Sequence, residues 1–425
     1  MSPSIPRQTD KGLFKYLRET FGSDPTFVRT RTVLTIHNPG YQENFRRLYQ
    51  KLTLGSKCGE TQVYQNNVTY NRLLPILVSI VSMECVGSAQ RTLFSSNSIL
   101  DSLNSITASI VPPNGDLNPY GVAFVPREFP SGGTIGPGDV LVANFNNSDN
   151  IQGTGTTIVA ISPTGQQSVF ATSTLIGLDT ALGVLSGGFV IVGNLPVSAG
   201  KIGQGALQIY DRHGNLTATL TDSNFLDSPW DLTIHDQGSQ AQIFVSNVLS
   251  ATVTRLNVSV SNTQVTVNSK TQIASGYAQA PNAAAVVVGP TGLAYDQRHD
   301  TLYVASTDDN KIFAIADAGS RTTSASQGYI VFADQQHLHG PLGLVLAPNF
   351  HLIAANGDAV NPGGTPNDLI EFTLQGFLIA TYQLDGGPPG AAFGIASIAS
   401  GGGVKFAAVD DNLNTVTVWT LHPFF

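Results

Sequence analysis

The chain has 425 residues, of which 41% are hydrophobic and 12% charged, with 43 glycines and 23 prolines. That apolar content excludes a disordered protein, and glycine without a Gly-X-Y period excludes a collagen-like one while requiring many tight turns. The net charge of −8 is unevenly placed: residues 1–89 carry 11 Lys/Arg against 6 Asp/Glu, and residues 90–425 carry 10 against 23. So acidic a body repels phosphate backbones, which argues against a nucleic-acid partner.

The first predicted region, residues 1–67, is an N-terminal extension. Within residues 11–42 the run Thr35-Ile36-His37-Asn38, followed by Tyr41-Gln42, resembles a segment of the starch/glycogen synthase family, with Pro39 and Gly40 departing from its pattern. The resemblance stops there. The donor-sugar loop and the second Rossmann domain of that family have no counterpart, so it implies a vestigial, poorly structured piece without synthase activity.

Residues 68–89 follow the order of a secretory signal peptide. Arg72 precedes the apolar run Leu73-Leu74-Pro75-Ile76-Leu77-Val78-Ser79-Ile80-Val81-Ser82-Met83, and Gly87-Ser88-Ala89 supplies small residues ahead of Gln90. The run is about half the roughly 20 residues that span a bilayer, so no transmembrane helix is expected. A short buried strand is the competing reading. Cleavage would make the protein secreted or periplasmic; otherwise it is cytoplasmic. Both cysteines, Cys58 and Cys85, precede this point, leaving the body without thiol chemistry.

From residue 117 the chain repeats itself. A turn followed by an apolar strand carries a small residue, or Asp231, at positions 121, 183, 231, 292, 343 and 394. Each unit continues with a second strand closed by a polar residue: Asn144, Asn194, Asn247, Ser306, Asn356 and Asp410. Third strands such as Gly205–Tyr210 and Asn310–Ile315 follow, and turns such as His213-Gly214-Asn215 lead to a fourth. Short β-branched runs bounded by turn residues are strands packed on both faces.

Six such units predict an all-β, six-bladed β-propeller over residues 90–425, expected to be a monomer. The sixth unit reaches Phe425 after three strands, so Ile106–Val111 is expected to supply its fourth. The repeats resemble NHL-type propellers. The opening Asn118-Pro119-Tyr120-Gly121 is similar to that of secreted bacterial NHL-like proteins of unassigned function.

Chemical motifs are sparse. There is no H-E-x-x-H, phosphate loop, nucleophile elbow or Cys/His zinc spacing, and His337 and His339 share a loop without a third ligand nearby in sequence. No catalytic residue, metal or cofactor is expected. Propellers of the lactonase and gluconolactonase type hold a divalent cation on the axis with carboxylate and amide oxygens. The corresponding strand entrances here are Tyr120, Leu182, Trp230, Thr291, Leu342 and Phe393, a poor set for calcium.

Two features remain as candidates for ligand binding. Asn144, Asn194, Asn247 and Asn356 either bond local backbone or line a polar channel. Tyr120, Trp230, Asp231 and Phe393 either pack and cap locally or form a site at the channel mouth for a small molecule or protein. The expected function is a binding or scaffold module. The alternative is a hydrolase or lyase using Asp231 with Asp308 or Asp410.

Overall fold

The computed structural model describes residues 98–421 apart from 101–104, 176, 199, 284, 358–366, 389 and 401–402. The synthase-like run, the signal-like segment and both cysteines lie outside the described residues. Among the described residues every regular element is a β-strand, and no helix is long and apolar enough to cross a membrane.

The strands form six four-stranded antiparallel sheets and two small hairpins. Blade 1 comprises Leu117–Phe124, Val140–Asn146, Thr157–Ile161 and Gln167–Thr172 from the axis outward. Blade 2 comprises Leu178–Leu185, Phe189–Leu195, Ala206–Asp211 and Leu216–Leu220. Blade 3 is built from Pro229–Asp236, Gln240–Asn247, Thr252–Val260 and Val265–Ser275. Blade 4 uses Pro290–Asp296, Thr301–Ser306, Lys311–Ala316 and Tyr329–Phe332. Blade 5 uses Pro341–Leu346, His351–Asn356, Leu369–Thr373 and Leu378–Tyr382.

Blade 6 closes the ring. Its strands Ile395–Ser400, Gly403–Asp410 and Thr415–Leu421 are completed by Ser105–Ser109, with Ile106 opposite Val418. The sequence placed this strand two residues too far along at its end. Ile110 has left the strand, although its N–H still reaches the Asn414 carbonyl at 3.1 Å.

Six apolar clusters hold the ring together, one at each blade interface. Leu141 and Ile158 of blade 1 meet Val190 and Tyr210 of blade 2; Ile209 meets Ile243; Phe244 meets Phe313. Phe332 stacks on Phe372 at 4.4 Å, Ile353 packs with Phe406, and Val142 with Val409 returns to blade 1. Neighbouring blades cover both faces of the second strands, which are therefore apolar without alternation, as in the wholly buried Phe189–Leu195. Each fully buried aliphatic side chain contributes about 1.5–3 kcal/mol relative to exposure.

One turn recurs between the third and fourth strands. In Ser162–Gln166, Asp211–Asn215 and Thr373–Phe377 the first residue pairs its N–H with the fifth carbonyl, and its side-chain oxygen accepts the N–H of the third and fifth residues. The fourth residue is a glycine in left-handed conformation, with φ of 81° at Gly214 and 77° at Gly376. A side chain at Gly214 would collide with the Phe170 carbonyl, and one at Gly376 with that of Val331, each on the outer strand of the preceding blade. The turn therefore fixes the fourth strand and docks it on its neighbour.

Candidate functional site

The axial mouth is built by a repeated irregularity. Pro229, Pro290 and Pro341 open their inner strands, and Pro119 is the third residue of its own; they lie opposite Asn247, Ser306, Asn356 and Asn144, and the pairing slips immediately afterwards. Blade 2 does the same with Asp179 opposite Asn194. Proline has no N–H to offer the ladder, so a bulge there costs no hydrogen bond and re-aims the next residue. In blades 1, 3 and 5 that residue is Tyr120, Trp230 or Leu342, and all three join one apolar cluster with Phe145.

The small residues next to them let the inner strands meet. A side chain at Gly394 would strike the Tyr120 carbonyl, and one at Gly343 would strike that of Phe393. Blade 3 has Asp231 at this position. Its carboxylate accepts the Leu232 amide at 2.8 Å and, across the blade boundary, the Leu293 amide at 3.0 Å. Ser246 supports it, accepting the Asp231 amide at 3.0 Å and donating to the Thr291 carbonyl at 2.7 Å. Burial drives the Asp231 carboxyl up to about 7, against both amide bonds.

Tyr120 is the centre of the mouth. Its ring stacks on Phe393 at 5.0 Å and on Phe145 at 5.5 Å, and it meets the Trp230 edge at 5.6 Å. Two hairpins outside the blades pack over these rings: Val197–Ser198 with Lys201–Ile202, and Ala280–Asn282 with Val286–Val288. Trp230 is completely buried. Beneath lies a cavity of ≈ 30 Å³ bordered by Tyr120, Trp230, Asp231, Leu342 and Phe393, room for about one or two waters. Among the described residues the Tyr120 hydroxyl and Trp230 Nε1 interact with each other but form no hydrogen bond of good geometry. Burial holds the Tyr120 phenol far above its ordinary value, against the Trp230 interaction and with help from the nearby Asp231 and Asp411 carboxylates.

The structure thus brings Tyr120, Trp230, Asp231 and Phe393 together, behind a covered mouth. The asparagines lie elsewhere and border no part of this cavity. Asn144 donates to the Ile110 carbonyl at 3.2 Å. Asn247 accepts the Asp227 amide and donates to the Phe225 carbonyl, both at 3.1 Å. Asn356 accepts the His339 amide at 3.0 Å and donates to the His337 carbonyl at 2.8 Å. Each of these three stitches its blade to the segment arriving at that blade. Asn194 is buried in the equivalent position.

Asp308 is exposed on a turn of blade 4, and Asp410 is buried, accepting the Leu413 amide at 3.0 Å; neither borders the cavity. The acid that joins Asp231 near Tyr120 is Asp411, whose carboxyl is pushed up to about 6 by burial and by adjacent Asp410. Sequence reading missed it because Asp410 occupies the repeat position and Asp411 lies one step outside the register. His337 pairs with Asp334 at 2.8 Å, and His339 bonds the Gln336 carbonyl at 3.0 Å. Among the described residues no three of His, Cys, Asp and Glu gather as metal ligands.

No protein-family model matches the chain, and no curated protein matches it. Solved structures are similar in fold. A gluconolactonase from Xanthomonas campestris shares 12% identity at a TM-score of 0.49, covering 76% of this chain and 91% of its own. Regucalcin, a calcium-binding protein from Agrobacterium tumefaciens, shares 15% at a TM-score of 0.45, covering 75% and 96%. Streptogramin B lyase shares 15% at a TM-score of 0.43, covering 77% and 100%. Likenesses at this level bear on neither activity nor site residues.

Proposed function

We propose that the chain is a secreted propeller acting as a binding or scaffold module, which presents its hairpin-bearing face to an extracellular partner. The filled axial mouth carries this reading. Aromatic rings and two hairpins leave ≈ 30 Å³, far below the roughly 300 Å³ of a pocket that admits an organic substrate. Insertions outside a repeat pattern collect on one face, where recognition is commonly built. Both hairpins are such insertions, and they meet over the axis. The order of Arg72, the apolar run and Gly87-Ser88-Ala89 supports export.

A second reading, a hydrolase or lyase, is favoured by one observation. Burial pushes the Asp231 and Asp411 carboxyls up to about 7 and about 6, and both act electrostatically on Tyr120, an arrangement suited to acid–base work. One assay separates the two. Lactone and carboxylic-ester hydrolysis is measured with and without added calcium, for the native chain and for Asp231→Asn. The binding-module reading expects no turnover from either protein. Turnover that Asp231→Asn abolishes would overturn it. For export, N-terminal sequencing of native protein should give a start at Gln90; an intact Met1 refutes that part.

A further inference from the structure

The cleft between blades 5 and 6 holds three residues that belong to neither blade. Ser98 Oγ donates to Glu371 Oε2 at 2.7 Å, and the Ile99 amide donates to the same oxygen at 2.9 Å. The Leu100 amide turns back onto Ser98 Oγ, also at 2.9 Å. The other carboxylate oxygen, Oε1, takes His351 Nδ1 at 2.6 Å and Asn349 Nδ2 at 3.0 Å. Glu371 is fully buried. Ile99 and Leu100 sink into the apolar cluster shared by the two blades, against Leu369, Phe406 and Trp419. What space remains there, ≈ 10 Å³, is at the lower limit for one water.

A buried carboxylate is costly unless every lone pair finds a donor, and half of Glu371's donors come from the visiting segment. The carboxylate takes a main-chain N–H and a serine hydroxyl, while one apolar cluster takes both aliphatic side chains. The contact is also distinct from ring closure, because Ser105–Ser109 pairs with blade 6 whereas Ser98 and Ile99 bond to blade 5.

We propose that this cleft is a docking site for a Ser-aliphatic-aliphatic turn segment, filled in this chain by its own Ser98–Leu100. A free segment of the same chemistry then competes with the resident one.

The test uses the full chain with Ser98→Gly and Ile99→Asp, which unseat the resident segment, and a synthetic peptide covering residues 96–103. Trp419 borders the cleft and reports occupancy by fluorescence. The peptide is expected to bind the unseated chain saturably and raise its Tm, and to bind the native chain about tenfold more weakly or worse, because the resident segment occupies the site. Adding Glu371→Gln should abolish binding, and a scrambled peptide should not bind. Should the double variant fail to fold, Ile99→Ala takes its place with the same readouts. Equal binding to native and unseated chains, or none to the unseated chain, overturns the proposal.

Discussion

The Asp231 carboxylate accepts the Leu293 amide at 3.0 Å and so ties blade 3 to blade 4 beside the axis. Blades 4, 5 and 6 place Gly292, Gly343 and Gly394 at the same repeat position, where backbones approach directly. A hydrogen-bonded bridge at one boundary thus replaces close contact. Its folded pKa of about 7 lies above the ordinary value of 3.8. The native state therefore keeps a proton that the unfolded chain has released, and stability falls as pH rises between those values. Asp231→Asn should remove that slope in urea titrations across pH 4–7, at a cost of about 1 kcal/mol for one lost hydrogen bond. An unchanged slope would mean that another group causes it.

Glu371 works in the opposite direction. Burial pushes its carboxyl up, but the bonds from His351, Ser98 and Asn349 prevail and hold it below the ordinary 4.5. Its stabilising contribution is present above that pH and disappears as acid protonates the folded state. Glu371→Gln should flatten the acid limb of the Tm profile below pH 4.5 while lowering Tm at neutral pH.

Gly214 sits at φ 81° against the outer strand of blade 1. Gly214→Ala requires both a left-handed alanine and displacement of the Phe170 carbonyl. The expected loss is about 1–3 kcal/mol in equilibrium denaturation. Gly238 has the same backbone at 82° with no neighbour to meet, so Gly238→Ala should cost less. A comparable loss at both sites would show that strain alone matters and interblade contact does not.

Asn247 donates to Thr252, Thr254 and the Phe225 carbonyl while accepting the Asp227 amide. Asn247→Ala leaves several buried polar groups without partners, and a loss of at least about 1–3 kcal/mol is expected. Amide exchange should quicken at Asp227 and the adjoining turn. A neutral effect on stability would reopen a role for this residue beyond stitching.

Much of the fold was legible in the chain because a propeller is written locally. Each blade repeats turn, strand and polar strand end, so the small residues from Gly121 to Gly394 mark the axis and the missing fourth strand marks the closure. Spacing along the chain was sufficient because the sheet partners of most strands are their sequence neighbours. The exception, Ser105–Ser109, was inferred by counting.

The site was less legible. That Tyr120, Trp230 and Phe393, with Asp231 one step further on, would converge followed from their adjacent repeat positions. That 280–288 and 197–202 would fold over them did not, since neither hairpin obeys the repeat. Nor could spacing pair Ser98 with Glu371, or bring Asp411 towards Tyr120. Those contacts join distant segments through packing, and only the closed ring sets which side chains become buried and which carboxylates must find donors.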